Sequence, residues 1–284
     1  MRVAVIGASG QLGGDIILVF SGDALPLTHD DIEVTDINSL SALKDLRPDV
    51  IINTAAYHKT DECESNPLKT FNVNSIGALN VARIANEIDA INIYISTDYV
   101  FDGRKNKPYN EDDVPNPVNI YGLSKYLGEI ITRNYSRKYY IIRVASLFGI
   151  RGARGKGGNF VDKIIEKARR GERLRVVDDM IMSPTYTKDV AKMLRKFLEL
   201  KPEYGVYHMV NEGYCSWYDF ASSVFEIMGW DVDIEPIKTR DLNLIAKRPL
   251  FSALENKRLK ILGLRMRPWR EALKEYLREK GVIK

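Results

Sequence analysis

Tyr121 and Lys125 stand four residues apart, the spacing that puts two side chains one turn apart on the same face of a helix. A phenol can hand a proton to an oxygen that has just gained electrons, provided its pKa falls from about 10 toward neutrality. A fixed ammonium one helical turn away favours the phenolate and does that work. Twenty-four residues before Tyr121, a run of apolar residues ends in the hydroxyls of Ser96 and Thr97. Thr97, or less readily Ser96, can donate a hydrogen bond to the same oxygen. Together these residue types point to carbonyl reduction, with Tyr121 as acid, Lys125 as its tuning charge and the hydride drawn from a cofactor. The Tyr-x-x-x-Lys letters are cheap in a chain with 15 tyrosines, and it is their order along the chain that gives them weight.

A cofactor needs a cradle, and the first thirteen residues supply one. Val3-Ala4-Val5-Ile6 reads as a strand buried on both faces of a parallel sheet. Gly7, Gly10 and Gly13 follow at three-residue intervals, with Ser9, Gln11 and Leu12 between them. Gly7 suits the tight turn out of the strand, Gly10 the approach of a pyrophosphate, and Gly13 the close packing of the next helix. The backbone N–H groups at that helix start face the phosphates. A second strand over 23–28 ends in Thr28-His29-Asp30. Thr28 and His29 leave space for a ribose 2′-phosphate, whereas Asp30 would hold a 2′-hydroxyl, so NADPH and NADH both remain open, with NADPH slightly favoured. His29 is read either as a surface residue or as a phosphate ligand. Asp36 suits a helix N-cap. Residues 48–57 give a third buried strand running into the small residues Ala55 and Ala56 before Tyr57, and residues 68–87 carry a helical apolar stripe.

The G-x-x-G-x-x-G loop, the Ser96-Thr97 strand end and the Tyr121/Lys125 pair together resemble the extended, sugar-nucleotide branch of the short-chain dehydrogenases/reductases. Ser96-Thr97-Asp98-Tyr99-Val100-Phe101-Asp102-Gly103 resembles the dTDP-4-dehydrorhamnose reductases. The related 4,6-dehydratases carry Glu where this chain has Tyr99, which argues against dehydration. The resemblance implies reduction of the 4-keto group of a dTDP-6-deoxy sugar. It further implies that Asp36 and Ile37 lie by the adenine, that Ala55, Ala56 and Tyr57 line the cofactor, that Asn74 orders the site there, and that Asn74, Ser96, Tyr121 and Lys125 also contact the cofactor, Lys125 at the nicotinamide ribose. Thr97 and Asp98 become sugar-side contacts, and Tyr99 either another contact or a packing aromatic. In relatives a Trp packs on the sugar where Leu147 stands here. Asn159 opens a helix on the substrate side, and Arg248, in Arg-Pro-x-x-Ser-x-Leu, reaches phosphate or is a surface residue. The basic loop Arg151–Gly158 either closes over a diphosphate or is a surface turn.

The expected fold is α/β, a doubly wound parallel sheet of the Rossmann type with a small C-terminal lobe. Residues 1–150 form the dinucleotide-binding core and 151–284 mainly the substrate lobe, with some segments returning to the core. The 284 residues suffice for that, and 45% hydrophobic with 28% charged residues describes a globular chain. No apolar run approaches the ~20 residues of a membrane span. Met1-Arg2 leads straight into the first strand, leaving no room for a signal peptide, and the two cysteines, Cys63 and Cys215, read as free thiols of a cytoplasmic protein. No residue set argues for a metal. Residues 247–284 hold 12 Lys/Arg against 4 Asp/Glu, while the rest hold 30 against 34. That basic tail suits a nucleotide diphosphate or a solvated face better than a nucleic acid, for which no motif is present. The expected partner is a nucleotide-sugar, and a homodimer is compatible with the resemblance. Two alternatives stand: another nucleotide-sugar reductase or epimerase, and a non-catalytic NADP-binding relative like the methionine adenosyltransferase β subunit.

Overall fold

The structure is a computed structural model that describes residues 1–152 and 158–284. Its first half alternates strands and helices: β1 (Val3–Ile6), α1 (Gln11–Val19), β2 (Ala24–Leu27), α2 (Ala42–Leu46), β3 (Val50–Asn53), α3 (Thr60–Ser65), α4 (Pro67–Phe71), α5 (Gly77–Glu87), β4 (Ile91–Thr97), α6 (Ile120–Tyr135) and β5 (Tyr139–Val144). The second half holds β6 (Leu147–Phe148), α7 (Phe160–Arg169), β7 (Leu174–Val177), β8 (Ile181–Met182), β9 (Thr185–Tyr186), α8 (Thr187–Leu200), β10 (Gly205–His208), β11 (Cys215–Ser216), α9 (Trp217–Met228), β12 (Ile234–Ile237), α10 (Lys257–Ile261) and α11 (Trp269–Glu279).

Six strands form one parallel sheet in the order β10-β5-β4-β3-β1-β2. Alternate residues of the same strand feed opposite faces: Val3, Val5, Val50 and Ile52 pack with α1 and α8, while Ala4, Ile6 and Ile51 pack with α2 and α5. The expected doubly wound fold is therefore present. Strand order reverses at β1, with β2 on one side and β3 on the other, and ligands of such sheets bind outside the carboxyl ends at that switch. Register sets Ile6 level with Asn53, and Asn53 level with Tyr94, so the loops after β1 and β3 leave the sheet at one height and β4 runs three residues further, to Thr97.

Residues 205–208 return to the sheet as β10, beside β5. A second apolar cluster, with Phe148, Val161, Tyr186, Phe220, Trp269 and Tyr276, is distinct from the clusters on the two faces of the sheet and is built from residues 148–283. Ser216 and Asp219 cap α9 reciprocally, as the spacing predicts. The helix expected over 68–87 is broken: α4 and α5 are joined by a single π-helical turn, Asn72–Ile76. The strand expected over 139–149 ends at Val144, because Ser146 takes a left-handed φ of 41° before β6 begins.

Among the described residues no helix is long and apolar enough to cross a membrane, and both cysteines are buried and joined by no disulfide. Much of the basic tail is neutralised by acids from the rest of the chain: Lys257 and Arg258 pair with Asp112, Arg267 with Asp189, Arg270 with Glu226 and Lys280 with Asp162.

Candidate active site

Two loops at the carboxyl edge of the sheet, with the π turn between α4 and α5, build the first half of the site. Gly7 turns at φ +81°, and a Cβ on Gly13 would lie 2.3 Å from the Gly7 carbonyl oxygen, so α1 starts against the turn as only glycine permits. The N-cap of α1 is Gly10 in extended conformation, with no side chain capping the first turn. Gln11 is buried beside it and its Oε1 has no hydrogen-bond partner among the described residues. A bare helix start beside an orphaned buried amide suits a pyrophosphate and its ribose, so the residues present fit a dinucleotide. After β3, Ala55 N–H donates to Asn53 Oδ1 at 3.1 Å. Asn74, in the π turn, then fastens this loop: Oδ1 accepts from the Tyr57 N–H at 2.9 Å, while Nδ2 donates to the Tyr57 carbonyl and to Ser124 Oγ, both at 2.9 Å. Ser124 Oγ in turn donates to the Tyr121 carbonyl at 2.8 Å, so Asn74 joins the Ala55–Tyr57 loop to the helix of Tyr121 and Lys125.

The second half is carried by β4 and α6. Thr97, the last residue of β4, caps a short 3₁₀ turn over Asp98–Val100 by accepting from the Tyr99 N–H at 3.2 Å. Its hydroxyl also donates to Asp98 Oδ1 at 3.0 Å and lies close enough to the Tyr121 phenol to favour its ionised form. Asn119 caps α6 by accepting from Gly122 N–H at 2.8 Å. A Cβ on Gly122 would lie 2.1 Å from the Tyr99 carbonyl oxygen, so this glycine lets α6 approach the turn closely enough for Tyr121 to meet Thr97. The Tyr99 and Tyr121 rings meet edge to face, centroids 5.8 Å apart. Asp98 is buried and accepts from Ser252 Oγ at 2.5 Å. Burial pushes its carboxyl up to about 6, against the pull of Ser252 and Thr97. Lys125 is 2% exposed, its ammonium 3.9 Å from the Tyr94 ring centroid, and burial pushes it down to about 7 against the Glu129 charge. The Tyr121 phenol is not lowered as expected. Burial drives it up, and Thr97 opposes this.

Other expected contacts fall elsewhere. Ser96 points to the opposite face of β4 from Thr97, where its hydroxyl is donated to Glu129 at 2.5 Å, so it holds up the site from behind. Asn159 caps α7, accepting from Asp162 N–H and giving both amide hydrogens to Gly149 O and Tyr276 Oη, which leaves no donor for a sugar. Leu147 packs on the sheet core. His29 is a surface residue beside Glu33 at 3.2 Å, and the Thr28 hydroxyl is donated to Asp31. Asp36 is exposed and caps a turn by accepting from the Asn38 N–H, with Ile37 exposed next to it. In the loop Arg151–Gly158, residues 153–157 lie outside the described residues.

Arg248 lies between two grooves and lines both. Its Nη2 is 3.0 Å from Asp61 Oδ2, and Nη1 donates to Ala246 O at 2.9 Å. The smaller groove, about 280 Å³, is also lined by Tyr99, Phe160, Arg175, Met180 and Trp217, an apolar slot with two guanidinium groups. The larger, about 690 Å³, adds Arg104, Lys238, Arg240 and Lys247. Sequence reading missed Phe160, Arg175 and Trp217. Trp217 follows the Ser216 cap and is visible only as a helix start, while the other two come from elements joined to it solely by the tertiary fold.

The family described as the RmlD substrate binding domain matches residues 1–281. The spore coat polysaccharide biosynthesis protein SpsK of Bacillus subtilis is 38% identical, over 99% of this chain and 98% of its own. A solved dTDP-4-dehydrorhamnose reductase from Clostridium acetobutylicum superposes with a TM-score of 0.93 at 36% identity, covering 99% of this chain and all of the other. A second, from Bacillus anthracis in complex with NADP, gives 0.92 at 36% identity over 98% and 99%. With its sheet switch point, glycine turn and Thr97–Tyr121–Lys125 cluster, this chain belongs to the RmlD substrate-binding-domain family, the dTDP-4-dehydrorhamnose reductase branch of the extended short-chain dehydrogenases/reductases.

Proposed function

We propose that the protein is an NAD(P)H-dependent oxidoreductase that reduces the 4-keto group of dTDP-4-dehydro-L-rhamnose to give dTDP-L-rhamnose. The observation that carries this reading is the buried Tyr121 phenol brought beside Thr97 at the end of β4, with Lys125 one turn along the same helix. NAD(P)H, when bound, supplies the hydride. Thr97 orients the sugar oxygen, and Tyr121 gives its hydroxyl hydrogen to that oxygen as negative charge develops there. Lys125 supplies a buried positive charge that stabilises the phenolate left behind. The turn Gly7–Gly13 and the loop Ala55–Tyr57 hold the dinucleotide, and the NADP of the Bacillus anthracis relative favours NADPH. Arg248 and the slot of Phe160, Arg175 and Trp217 hold the substrate's diphosphate and base, where a fork of guanidinium donors suits phosphate.

The test is to mix the purified protein with NADPH and dTDP-4-dehydrorhamnose and follow loss of the reduced cofactor's absorbance. Oxidation is expected, and Tyr121→Phe should cut kcat by about 10²–10⁴-fold while leaving NADPH affinity unchanged. Cofactor binding without oxidation would instead assign a regulatory binding role, and oxidation with a different nucleotide-sugar would move the substrate. Two buried cysteines that form no disulfide support work in the reducing cytoplasm. Exposed Leu68 on α4, with Leu123 and Leu127 on α6, supports pairing of two copies, which a solution mass measurement decides.

A further inference from the structure

Behind Tyr121 and Lys125, α6 carries one more charged residue in the same row. Tyr121, Lys125 and Glu129 recur every fourth residue and stack along one helix face. Glu129 and Arg143 are each 4% exposed and pair in a fork, Nε to Oε1 at 2.8 Å and Nη2 to Oε2 at 2.6 Å. Register across the sheet sets Ser96 level with Arg143, and Arg143 level with His208. Ser96 Oγ donates to Glu129 Oε1 at 2.5 Å, and Arg143 Nη1 lies 3.4 Å from His208 Nε2. Three adjacent strands thus present one polar row to the underside of α6. Both Glu129 oxygens are committed to that row, so Lys125 feels this carboxylate only at longer range.

We propose that Glu129 is a positioning residue for Lys125, and that the Glu129–Arg143 pair governs how much positive charge the site keeps beside Tyr121. The inference rests on the reductase reading. A buried ion pair is weak evidence for stability, so its place beneath the reacting pair calls for another explanation. Among the described residues, the titratable and charged groups that face the pair are Lys125 on α6, Tyr94 on β4 and His208 on β10, with Arg258 beyond it; burial and Arg143 hold His208 well below the ordinary histidine range. Lys125 itself sits near neutrality, at about 7, where a small change in its surroundings changes its charge at physiological pH. Removing the negative Glu129 favours the neutral amine. Removing the positive Arg143 frees Glu129 to turn toward Lys125 and favours the ammonium.

The opposite signs make the test. In full-length, cofactor-free protein carrying lysine labelled with ¹³C at Cε, one resonance should titrate near neutrality and vanish in Lys125→Met. Glu129→Gln should move that midpoint down by about 1 unit, and Arg143→Met, whose charge lies beyond the carboxylate, should move it up by clearly less. Midpoints that stay put in both variants, or shift in the same direction, overturn the proposal. So does a wild-type Lys125 that titrates in the ordinary lysine range. If either single variant does not fold, Glu129→Gln/Arg143→Met removes the pair as a neutral unit, a change buried pairs commonly tolerate. Its midpoint should fall below the wild type, and an unchanged midpoint overturns the proposal. The titration needs neither sugar nor turnover, so failure of the wild type to oxidise NADPH counts against the reductase reading alone.

Discussion

Asp98 and Lys125 are both buried ionisable groups, displaced in the direction that disfavours their charged forms. The consequence for folding has opposite sign in the two. Asp98 rises from 3.8 to about 6, so between those values the folded chain binds more protons than the unfolded one. The stability conferred by the protonated carboxyl is complete below the lower value and is lost as pH climbs through the upper one. Asp98→Asn should therefore raise the thermal midpoint at neutral pH and flatten its pH dependence across that acidic window. Turnover should fall, because the amide no longer accepts from both Ser252 and Thr97. A lower midpoint at neutral pH with the acidic slope intact would refute this. Lys125 falls from 10.5 to about 7, so its contribution makes stability rise with pH between those values. Lys125→Met should remove that rise and stabilise the fold at and below neutral pH, as functional charges held against their preference commonly cost stability.

At the scale of elements, the close approach of α6 to the end of β4 decides whether Tyr121 meets Thr97. Gly122→Ala would set a Cβ 2.1 Å from the Tyr99 carbonyl, which is backbone and cannot swing away. The helix must back off, at a cost of about 1–3 kcal/mol, with kcat falling and NADPH affinity kept. Gly205→Ala, whose new carbon meets only the end of Arg258 at 3.4 Å, is the control and should be near neutral. Equal effects of the two substitutions on kcat would remove the packing argument. Much of this architecture was legible in sequence. Strand β1 and its glycine turn, the Thr97 strand end, the spacing of Tyr121 and Lys125 and the Ser216/Asp219 cap are all written in consecutive residues. The π turn at Asn72–Ile76 was not, because the apolar stripe of 68–87 has ordinary helical spacing and the extra residue is taken up by Asn74 reaching Tyr57 and Ser124. Asn159 was misplaced because its letter suits a sugar contact as well as a cap, and only the positions of Gly149 and Tyr276 decide between them. Glu129 was within reach, at the next step of the Tyr121/Lys125 spacing, but its partner Arg143 is supplied by strand register.

Over the whole molecule, the chain's uneven charge becomes a means of assembly. The basic tail is drawn onto the acidic body, and Arg248 is where that attraction reaches the site. Asp61 on α3 holds its guanidinium at 3.0 Å and also accepts from the Ala246 N–H at 2.9 Å, while Asn119 at the start of α6 donates to the Lys247 carbonyl at 2.8 Å. The segment 246–248 is thus fastened to α3 and to the start of α6, with Lys247 and Arg248 both lining the larger groove. A diphosphate entering there meets a guanidinium already aimed and only 11% exposed, so little side-chain entropy remains to be lost on binding. Arg248→Ala should raise KM for the nucleotide-sugar by about 10- to 100-fold, the loss expected of a charge-assisted hydrogen-bonding group, with NADPH affinity unchanged and kcat close to wild type. Arg248→Lys should recover only part of this, since an ammonium keeps the charge without the fork. Asp61→Asn separates aiming from charge: the guanidinium stays but is held less firmly, so KM should rise less than in Arg248→Ala. A KM for Asp61→Asn equal to that of Arg248→Ala would mean the carboxylate does more than aim, and a KM unchanged in Arg248→Ala would place the diphosphate away from this residue.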